Sequence, residues 1–218
     1  MTLHFIELKN APITEQLALE EKLLREESGN FCIVNQNPGR AIIMGISGKE
    51  EKLLNLELVK RDGIPVVRRF SGGGTVILDE SSLMVSFIFS KNQIDVTPFP
   101  EPILRWSGEL YRDAWKIPGF SLKENDYVIH DKKCGGNAQY IKKDRWLHHT
   151  SFLWDYCPKN MDYLQLPEKR PKYRMDRSHD NFLCRLKNER FESPQELIHL
   201  LKGALEKRYS LNEGYRGA

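Results

Sequence analysis

The chain has 218 residues, of which 40% are hydrophobic and 29% are charged, a composition typical of one soluble globular domain with a sizeable core. The net charge of +3 gives little support to a nucleic-acid partner, because Lys and Arg are interleaved with acidic residues. No apolar run approaches the length of a membrane span and the N-terminus lacks a signal-peptide pattern, so we expect no membrane partner.

The first part of the chain has the pattern of short strands around two helices. The N-terminus predicts a strand, and residues 13–27 predict an amphipathic helix whose apolar face also contains Glu20. A carboxylate on that face indicates either a buried group with a partner or an interrupted face. The other predicted elements are a helix at 53–60, a continuous apolar strand at 83–89, and shorter strands at 31–34, 41–44, 65–68 and 75–78.

The second part of the chain predicts a helix at 98–115, with prolines confined to its beginning, and strands at 127–129 and 146–154. Residues 158–180 are rich in Pro, Lys, Arg and Asp and indicate an irregular surface segment. A capping box at 193–196 opens a last helix whose core face holds Leu197, Leu201 and Leu205. Many strands with a few flanking helices predict an α+β fold around a mixed or antiparallel central sheet, in a single domain over residues 1–218.

A glycine-rich loop follows the predicted strand at 65–68. It consists of Arg68-Arg69-Phe70-Ser71-Gly72-Gly73-Gly74-Thr75-Val76. Glycine permits unusual backbone angles and close approach of a ligand, and successive backbone N–H groups can form an anion site. The two arginines can add planar hydrogen bonding to a carboxylate or a phosphate. The same composition also occurs in ordinary hairpin turns, so the loop alone leaves both interpretations open.

A second glycine segment lies near a lysine. Asn125-Asp126 begins a strand that leads to Lys133, and Gly135-Gly136-Asn137-Ala138 follows. A lysine beside a flexible turn can neutralise an anion held by the first loop. Asp126 could orient Lys133 or hold a magnesium ion bound to phosphates.

Together with a third motif, these segments resemble the lipoate–protein ligase A family, which is related to biotin–protein ligases and to lipoyl and octanoyl transferases. The first motif is Arg69 to Val76 followed by Asp79, the second joins Asn125-Asp126 to 133–138, and the third is the stretch 144–150 containing His148-His149. The order and spacing of the motifs also agree with the family, over roughly residues 10–190.

The resemblance implies a fold like the catalytic core of biotin–protein ligases and class II synthetases. It also implies that lipoate, in an apolar tunnel, is activated by ATP and Mg²⁺ to lipoyl-AMP. The lipoyl group would then pass to a lysine of a lipoyl carrier domain of 2-oxoacid dehydrogenases or of the glycine cleavage H protein. Lys133 would be catalytic, and Asp126 would contact Mg²⁺ or the adenine ribose. The substrate- and adenylate-binding residues would be Arg69, Ser71, Gly72, Gly73, Gly74, Thr75, Val76, Asn125, Asp126, Gly136, Asn137, Ala138 and His149.

The sequence departs from the family pattern at several places. Leu78 precedes Asp79 where the family commonly has His, residues 46–49 are Ile-Ser-Gly-Lys instead of Arg-x-x-Gln, and Thr150 stands where Gly is usual. The two-domain bacterial ligase also has a C-terminal accessory domain, which we expect to be absent here. Either a separate chain supplies it or the chemistry differs.

The cysteines suggest the main alternative function, that of an acyl transferase. The four cysteines include no Cys-x-x-Cys pair, so neither a zinc site nor a disulfide framework is predicted, and a reducing compartment is expected: the cytoplasm, or an organelle's matrix or stroma. An ATP-independent octanoyl or lipoyl transferase would use a cysteine thioester, for which Cys184 and Cys134 are candidates. The apolar flanks of Cys184 favour an inert strand residue, and Cys134 and Lys133 would point to opposite faces of a strand.

Two further interpretations are weaker. His130, His148, His149 and His179 could suggest a metal site, but they have no ligand spacing, so we expect a structural His-His pair. A non-catalytic lipoyl-binding module would keep the glycine loop without needing Lys133. The presence of both elements favours an enzyme.

Overall fold

The computed structural model describes residues 1–166 and 170–214. The strands, in chain order, are β1 (Thr2–Lys9), β2 (Phe31–Gln36), β3 (Ala41–Met44), β4 (Val66–Arg68), β5 (Val76–Leu78), β6 (Ser82–Ser90), β7 (Phe120–Lys123), β8 (Asp126–Ile129), β9 (Lys132–Ile141), β10 (Arg145–Leu153) and β11 (Ser210–Asn212). The α-helices are α1 (Ile13–Glu26), α2 (Glu50–Leu53), α3 (Leu56–Arg61), α4 (Pro100–Trp115), α5 (His179–Phe182) and α6 (Pro194–Glu206). Short 3₁₀ helices occur at Pro158–Tyr163, Lys172–Arg174 and Leu186–Asn188.

The strands form two sheets. The large sheet has eight strands in the order β11-β1-β2-β6-β10-β9-β8-β7, and the small sheet has three in the order β4-β3-β5. In the large sheet β1 runs parallel to β11 and β2, and all other pairs are antiparallel. The predicted α+β class with a mixed central sheet flanked by helices is therefore confirmed.

Strand β6 lies in the middle of the large sheet and explains why that segment is apolar throughout. Its successive side chains point to opposite faces. Phe87 and Phe89 pack in a core with α4 and α6, whereas Ile88 packs with Leu23 and Leu24 of α1. Helices therefore cover both faces, and the α1 face is the one that bears the functional cavity described below.

The helix ends follow the sequence signals. Pro100 opens α4, and Lys116 ends it in the left-handed conformation at φ 50°. Ser193 caps α6 by accepting a hydrogen bond from the backbone N–H of Glu196, while the Glu196 carboxylate accepts from Glu192. The predicted cap is confirmed, with its return bond shifted by one residue. None of the helices in the described ranges is long and apolar enough to cross a membrane.

Three local predictions were wrong. The single helix predicted at 53–60 is two short helices. Leu54 and Asn55 interrupt it, because their backbone pairs with that of Leu164 and Tyr163. Residues 133–138 are not a turn but part of β9, because both neighbouring strands supply ladder partners that outweigh local turn propensity. Segment 158–180 is not wholly a surface segment, since Asn160, Met161, Tyr163 and Arg174 are buried. Its residues 167–169 lie outside the described part of the chain.

Candidate active site

A cavity of about 620 Å³ lies between the glycine loop, α1, β9, β10 and residues 170–182. The fold brings Lys133 and nearly all the residues predicted to bind substrate or adenylate to the wall of this cavity. The predicted residues that line it are Arg69, Gly72, Gly73, Gly74, Thr75, Val76, Asn125, Asp126, Lys133, Gly136, Asn137, Ala138 and His149. Ser71 is the exception, because it is fully buried and does not line the cavity.

The wall of the cavity has two chemically different parts. The apolar part comes from one packed cluster that joins α1 to the small sheet and β6: Ile13, Leu17, Ile43, Leu78 and Met84. The polar part comes from β8, β9 and the segment 170–182: Asp126, Lys133, Arg170, Arg174 and His179. A ligand with an apolar chain and an anionic head group matches both parts.

Arg69 holds the glycine loop in shape. Its Nε and Nη2 donate to the carbonyl of Gly72 at 3.2 and 2.9 Å, and Nη2 also donates to Gly74 at 2.8 Å. Nη1 donates to the carbonyl of Ile43 at 3.4 Å. Burial lowers the pKa of Arg69 to about 10, because the charged guanidinium has lost its hydration, while the charge of Glu20 acts in the opposite direction. All of its nitrogens serve the backbone, so the geometry favours the tethering role over phosphate contact.

Gly73 shows why the loop requires glycine. Its φ of +104° is unfavourable for residues with a side chain, and an added Cβ would lie 2.7 Å from Nη2 of Arg69. An added Cβ at Gly45, on the chain segment beside it, would lie 2.3 Å from the Gly73 carbonyl oxygen. The loop is therefore packed against its neighbours without space for side chains at these two positions.

Lys133 is fixed by a carboxylate. Its Nζ lies 2.8 Å from Oδ1 of Asp126, and the hydroxyl of Tyr173 donates to Oδ2 at 2.9 Å. Burial and the Asp126 charge raise the pKa of Tyr173, so this hydroxyl stays protonated as a donor. Glycine at 136 leaves room for the ammonium, since a Cβ there would lie 3.1 Å from Nζ.

The same contacts bear on the predicted magnesium ligand. Both oxygens of Asp126 already have protein partners, and no group of three His, Cys, Asp or Glu side chains in residues 1–166 and 170–214 is placed to hold a metal ion. We therefore assign Asp126 to the orientation of Lys133 and derive no step through a metal; its contact with a magnesium ion bound to nucleotide phosphates stays a prediction.

A threonine supports the turn that carries Asn125. The Asn137 amide donates from Nδ2 to the Asn125 carbonyl at 2.9 Å, and its Oδ1 accepts from Thr150 Oγ1 at 2.6 Å. Because a glycine at position 150 could not make this bond, the departure from the family pattern has a local function here. It fixes the orientation of Asn137 on the cavity wall.

His149 is paired with a buried carboxylate. Its Nδ1 lies 3.0 Å from Oε2 of Glu20, while Ser86 and Gln16 donate to Oε1 at 2.5 and 2.9 Å. Burial acts to raise the pKa of Glu20, but the charge and hydrogen bond of His149 and the bonds from Ser86 and Gln16 outweigh it and lower the pKa. Of the two alternatives that the sequence left open for Glu20, the structure shows the buried carboxylate with a partner.

His148 points to the opposite face of β10. It lies 3.0 Å from Ser107 Oγ and 3.4 Å from the Tyr127 hydroxyl, both on the α4 side. Burial lowers its pKa to about 3, so the ring is neutral. The adjacent histidines therefore have separate partners, as expected for a structural pair.

The candidate nucleophilic cysteines do not line the cavity. Cys134 is buried on the α4 side, where its Sγ donates to the Tyr127 carbonyl at 3.4 Å and burial raises its pKa. Cys184 is not in a strand; its Sγ donates to the Lys132 carbonyl at 3.3 Å, and interaction with the neighbouring Cys134 thiol lowers its pKa. Neither thiol lies on the wall of the cavity, where it could reach a bound acyl group, so the geometry does not support the thioester route.

Sequence reasoning missed the residues of segment 170–182 that cover the polar part of the cavity. Tyr173 bonds Asp126, and Arg170, Arg174, His179 and Phe182 line the wall. The available signal was the recurrence of Tyr, Arg and His within a segment predicted to be irregular. Its cationic side chains line the same cavity as Lys133, although they are distant from it in sequence.

Solved structures share this fold. A lipoate–protein ligase A bound with ATP superposes with a TM-score of 0.82 at 18% identity, covering 100% of this chain and 90% of that chain. A bipartite lipoate protein ligase from Thermoplasma acidophilum, described with its E2 lipoyl domain, gives 0.78 at 22% identity over 99% of this chain and 86% of that chain. The biotin protein ligase of Leishmania major superposes with a TM-score of 0.51 at 12% identity, covering 96% of this chain and 76% of that chain. The expected likeness to lipoate and biotin ligases in fold is confirmed.

Two curated relatives and a family model agree with the structures. Inactive lipoate–protein ligase 2 of Plasmodium falciparum is 30% identical over 85% of this chain and 63% of its own length. The lipoate–protein ligase LplJ of Bacillus subtilis is 33% identical over 64% of this chain and 42% of its own length. The chain thus spans about half to two thirds of these relatives. The model of the lipoyl protein ligase A/B catalytic domain matches residues 12–204, and the chain belongs to this family.

Proposed function

We propose that the chain activates lipoate with ATP to lipoyl-AMP and transfers the lipoyl group to a lysine of a lipoyl carrier domain. The observation that carries this proposal is the Lys133 ammonium, held 2.8 Å from Asp126 at the polar part of a cavity whose other part is apolar. The ATP-bound structural neighbour and the Thermoplasma ligase described with its lipoyl domain support the choice of substrates.

In the first step the lipoate carboxylate attacks the α-phosphorus of ATP, and pyrophosphate leaves. The acyl chain lies against the apolar cluster, and the carboxylate meets Lys133. Two anions must approach each other, so a fixed ammonium between them lowers the barrier by neutralising the charge that develops. Asp126 and Tyr173 keep the ammonium in place, and no covalent enzyme intermediate is required.

In the second step the free amine of the acceptor lysine attacks the carbonyl of the mixed anhydride and forms the amide C–N bond. The acyl C–O bond to the phosphate breaks, AMP leaves, and the proton lost by the amine passes to solvent. The donors on the cavity wall are already positioned when the acceptor arrives, so the step depends on orientation and not on a new catalytic group. The acceptor would be the lipoyl domain of a 2-oxoacid dehydrogenase or the glycine cleavage H protein.

The test is the mass increase of an apo-lipoyl domain incubated with the protein, lipoate and Mg²⁺, with and without ATP. We expect ATP-dependent lipoylation that falls at least about 100-fold in Lys133→Ala, because the lost group stabilises the transition state. Lys132→Ala is the matched control, since Lys132 is the exposed neighbour and does not line the cavity. ATP-dependent activity of this chain alone would also show that no separate accessory chain is required.

Two outcomes would overturn the proposal. ATP-independent transfer from an octanoylated carrier protein, abolished by Cys184→Ser, would establish the transferase alternative. Binding of lipoate without ATP-dependent transfer, under conditions in which a known ligase modifies the same acceptor, would establish a non-catalytic binding module. The P. falciparum relative whose name includes "inactive" makes this second comparison necessary.

A further inference from the structure

Arg174 is a buried arginine with an incomplete set of partners. Its side chain is 5% exposed and lines the cavity, and its Nη2 is buried without a hydrogen-bond acceptor. Within residues 1–166 and 170–214, its guanidinium makes one hydrogen bond, from Nε to the Arg177 carbonyl at 3.3 Å. A buried guanidinium without an acceptor is unfavourable, because hydration has been lost and not replaced.

The surroundings of Arg174 increase this deficit. Burial lowers its pKa, and the charge of Arg170 acts in the same direction, against Asp126. Asp126 itself is bonded to Lys133 and Tyr173, so its oxygens are already used. Burial and the charges of Arg174 and Lys133 lower the pKa of His179 as well. Arg170 is paired with Asp176 and Arg177 with Asp131, whereas among the described residues no carboxylate lies in hydrogen-bonding contact with the Arg174 guanidinium.

The position of Arg174 is nevertheless well defined. Its guanidinium carbon lies 4.6 Å from the centre of the Phe182 ring, and Nε is fixed by the Arg177 carbonyl. Arg177 is anchored in turn by Asp131, with Nη1 3.0 Å from Oδ2. Stacking and a single backbone bond hold the plane of the guanidinium, and its Nη2 has no acceptor among the described residues. This is the arrangement that suits a planar fork for an oxyanion.

We propose that Arg174 binds a phosphate group of the nucleotide in the cavity, opposite the position at which Lys133 meets the carboxylate of the acid. This inference rests on the proposed function for the identity of the nucleotide. A single carboxylate would satisfy Lys133 and leave Arg174 unpaired, whereas a polyphosphate has enough charge and oxygen acceptors for both. The segment 170–182 would then be a phosphate-binding cover of the cavity, with Tyr173 connecting it to Asp126.

The experiment is isothermal titration calorimetry of the protein with pyrophosphate, with ATP and with lipoate, each alone. We expect Arg174→Gln to weaken pyrophosphate and ATP binding by roughly ten- to a hundredfold, the range for a lost hydrogen-bonded charge, and to leave lipoate binding within about twofold. Arg174→Lys should recover part of the affinity, since it keeps the charge but not the planar fork. Arg105→Gln is the matched control for charge, because Arg105 is exposed, pairs with Glu101 and does not line this cavity.

The thermal unfolding midpoint of each variant shows whether the fold is intact. Equal pyrophosphate affinities of the wild type and a folded Arg174→Gln variant would overturn the inference, as would failure of the wild type to bind either phosphate ligand. A loss confined to lipoate would overturn it as well, because Arg174 would then serve the acid. Arg174-dependent pyrophosphate binding without ATP-dependent lipoylation would retain the phosphate site and reject the proposed function.

Discussion

The Glu20 carboxylate on α1 lies 3.0 Å from Nδ1 of His149 on β10, although the two residues are 129 positions apart. This pair connects the helix to the centre of the large sheet at the cavity wall. Ser86 and Gln16 donate to the second carboxylate oxygen, so both oxygens of the buried Glu20 carboxylate have hydrogen-bond partners. Each residue of the pair therefore depends on the other for its orientation.

We expect Glu20→Gln to lower the free energy of unfolding by roughly 3–5 kcal/mol, the typical loss when one member of a buried pair is removed. Glu21→Gln is the control: Glu21 pairs with Arg25 on the exposed side of the same helix, and the loss should be below about 0.5 kcal/mol. Urea denaturation at pH 7 measures both variants. Similar losses in the two variants would contradict the importance of the buried pair.

The same pair predicts a pH dependence. The folded protein holds the pKa of Glu20 below its ordinary value of 4.5, so ionised Glu20 stabilises the fold above that pH. This contribution is lost as the pH falls below 4.5 through the folded-state pKa. In urea titrations from pH 6 downward, the wild type should lose more stability than Glu20→Gln. Parallel curves for the two proteins would show that Glu20 does not contribute.

The glycine loop allows a test within adjacent positions. Gly73→Ala should lower the free energy of unfolding by roughly 1–3 kcal/mol, because it places a side chain at φ +104° and against Arg69. Gly74→Ala should change it by less than about 1 kcal/mol, since an added Cβ there meets no atom within 4 Å. Chemical denaturation of both variants measures the difference. Equal effects would mean that the Arg69 tether does not constrain the loop.

Thr150, which stands where the resemblance predicts Gly, provides a further test. Thr150→Val keeps the shape but removes the donor to Asn137, so we expect a loss of roughly 1–2 kcal/mol of stability and a higher KM for ATP or lipoate. Thr150→Ser keeps the hydroxyl, so its KM should stay close to that of the wild type. If both variants raise KM equally, the methyl group, and not the hydrogen bond, is the important feature.

The cysteine variants separate the two chemistries. Because Cys134 and Cys184 do not line the cavity, Cys184→Ser and Cys134→Ala should retain at least about half of the ATP-dependent transfer activity per folded molecule. Circular dichroism and the unfolding midpoint define the folded fraction. Complete loss of transfer in a folded Cys184→Ser variant would favour a thioester intermediate.

Much of the site could be predicted from the sequence because its motifs are local. The glycines at 72–74, Asn125-Asp126, Lys133 and His149 occur in an order and spacing that belong to the chain itself, and the fold places them around one cavity. The α1 face and the Ser193 cap were also predictable, since helix periodicity and capping depend on residues a few positions apart.

Only the tertiary structure decided which side chains meet. Lys133 pairs with Asp126, Asp126 also accepts from Tyr173, and His149 pairs with Glu20. These contacts arise where separate elements pack together. Pairing with β8 and β10 also made residues 133–138 a strand despite their glycines, since a ladder satisfies backbone groups that a turn would leave to water. The sequence by itself determined the motif residues that line the cavity, but not the contribution of segment 170–182. The partners of the buried charges, including Arg174, whose Nη2 has no acceptor in the described part of the chain, were decided by packing, because burial and partner distance set the energy of a charge and neither is encoded locally.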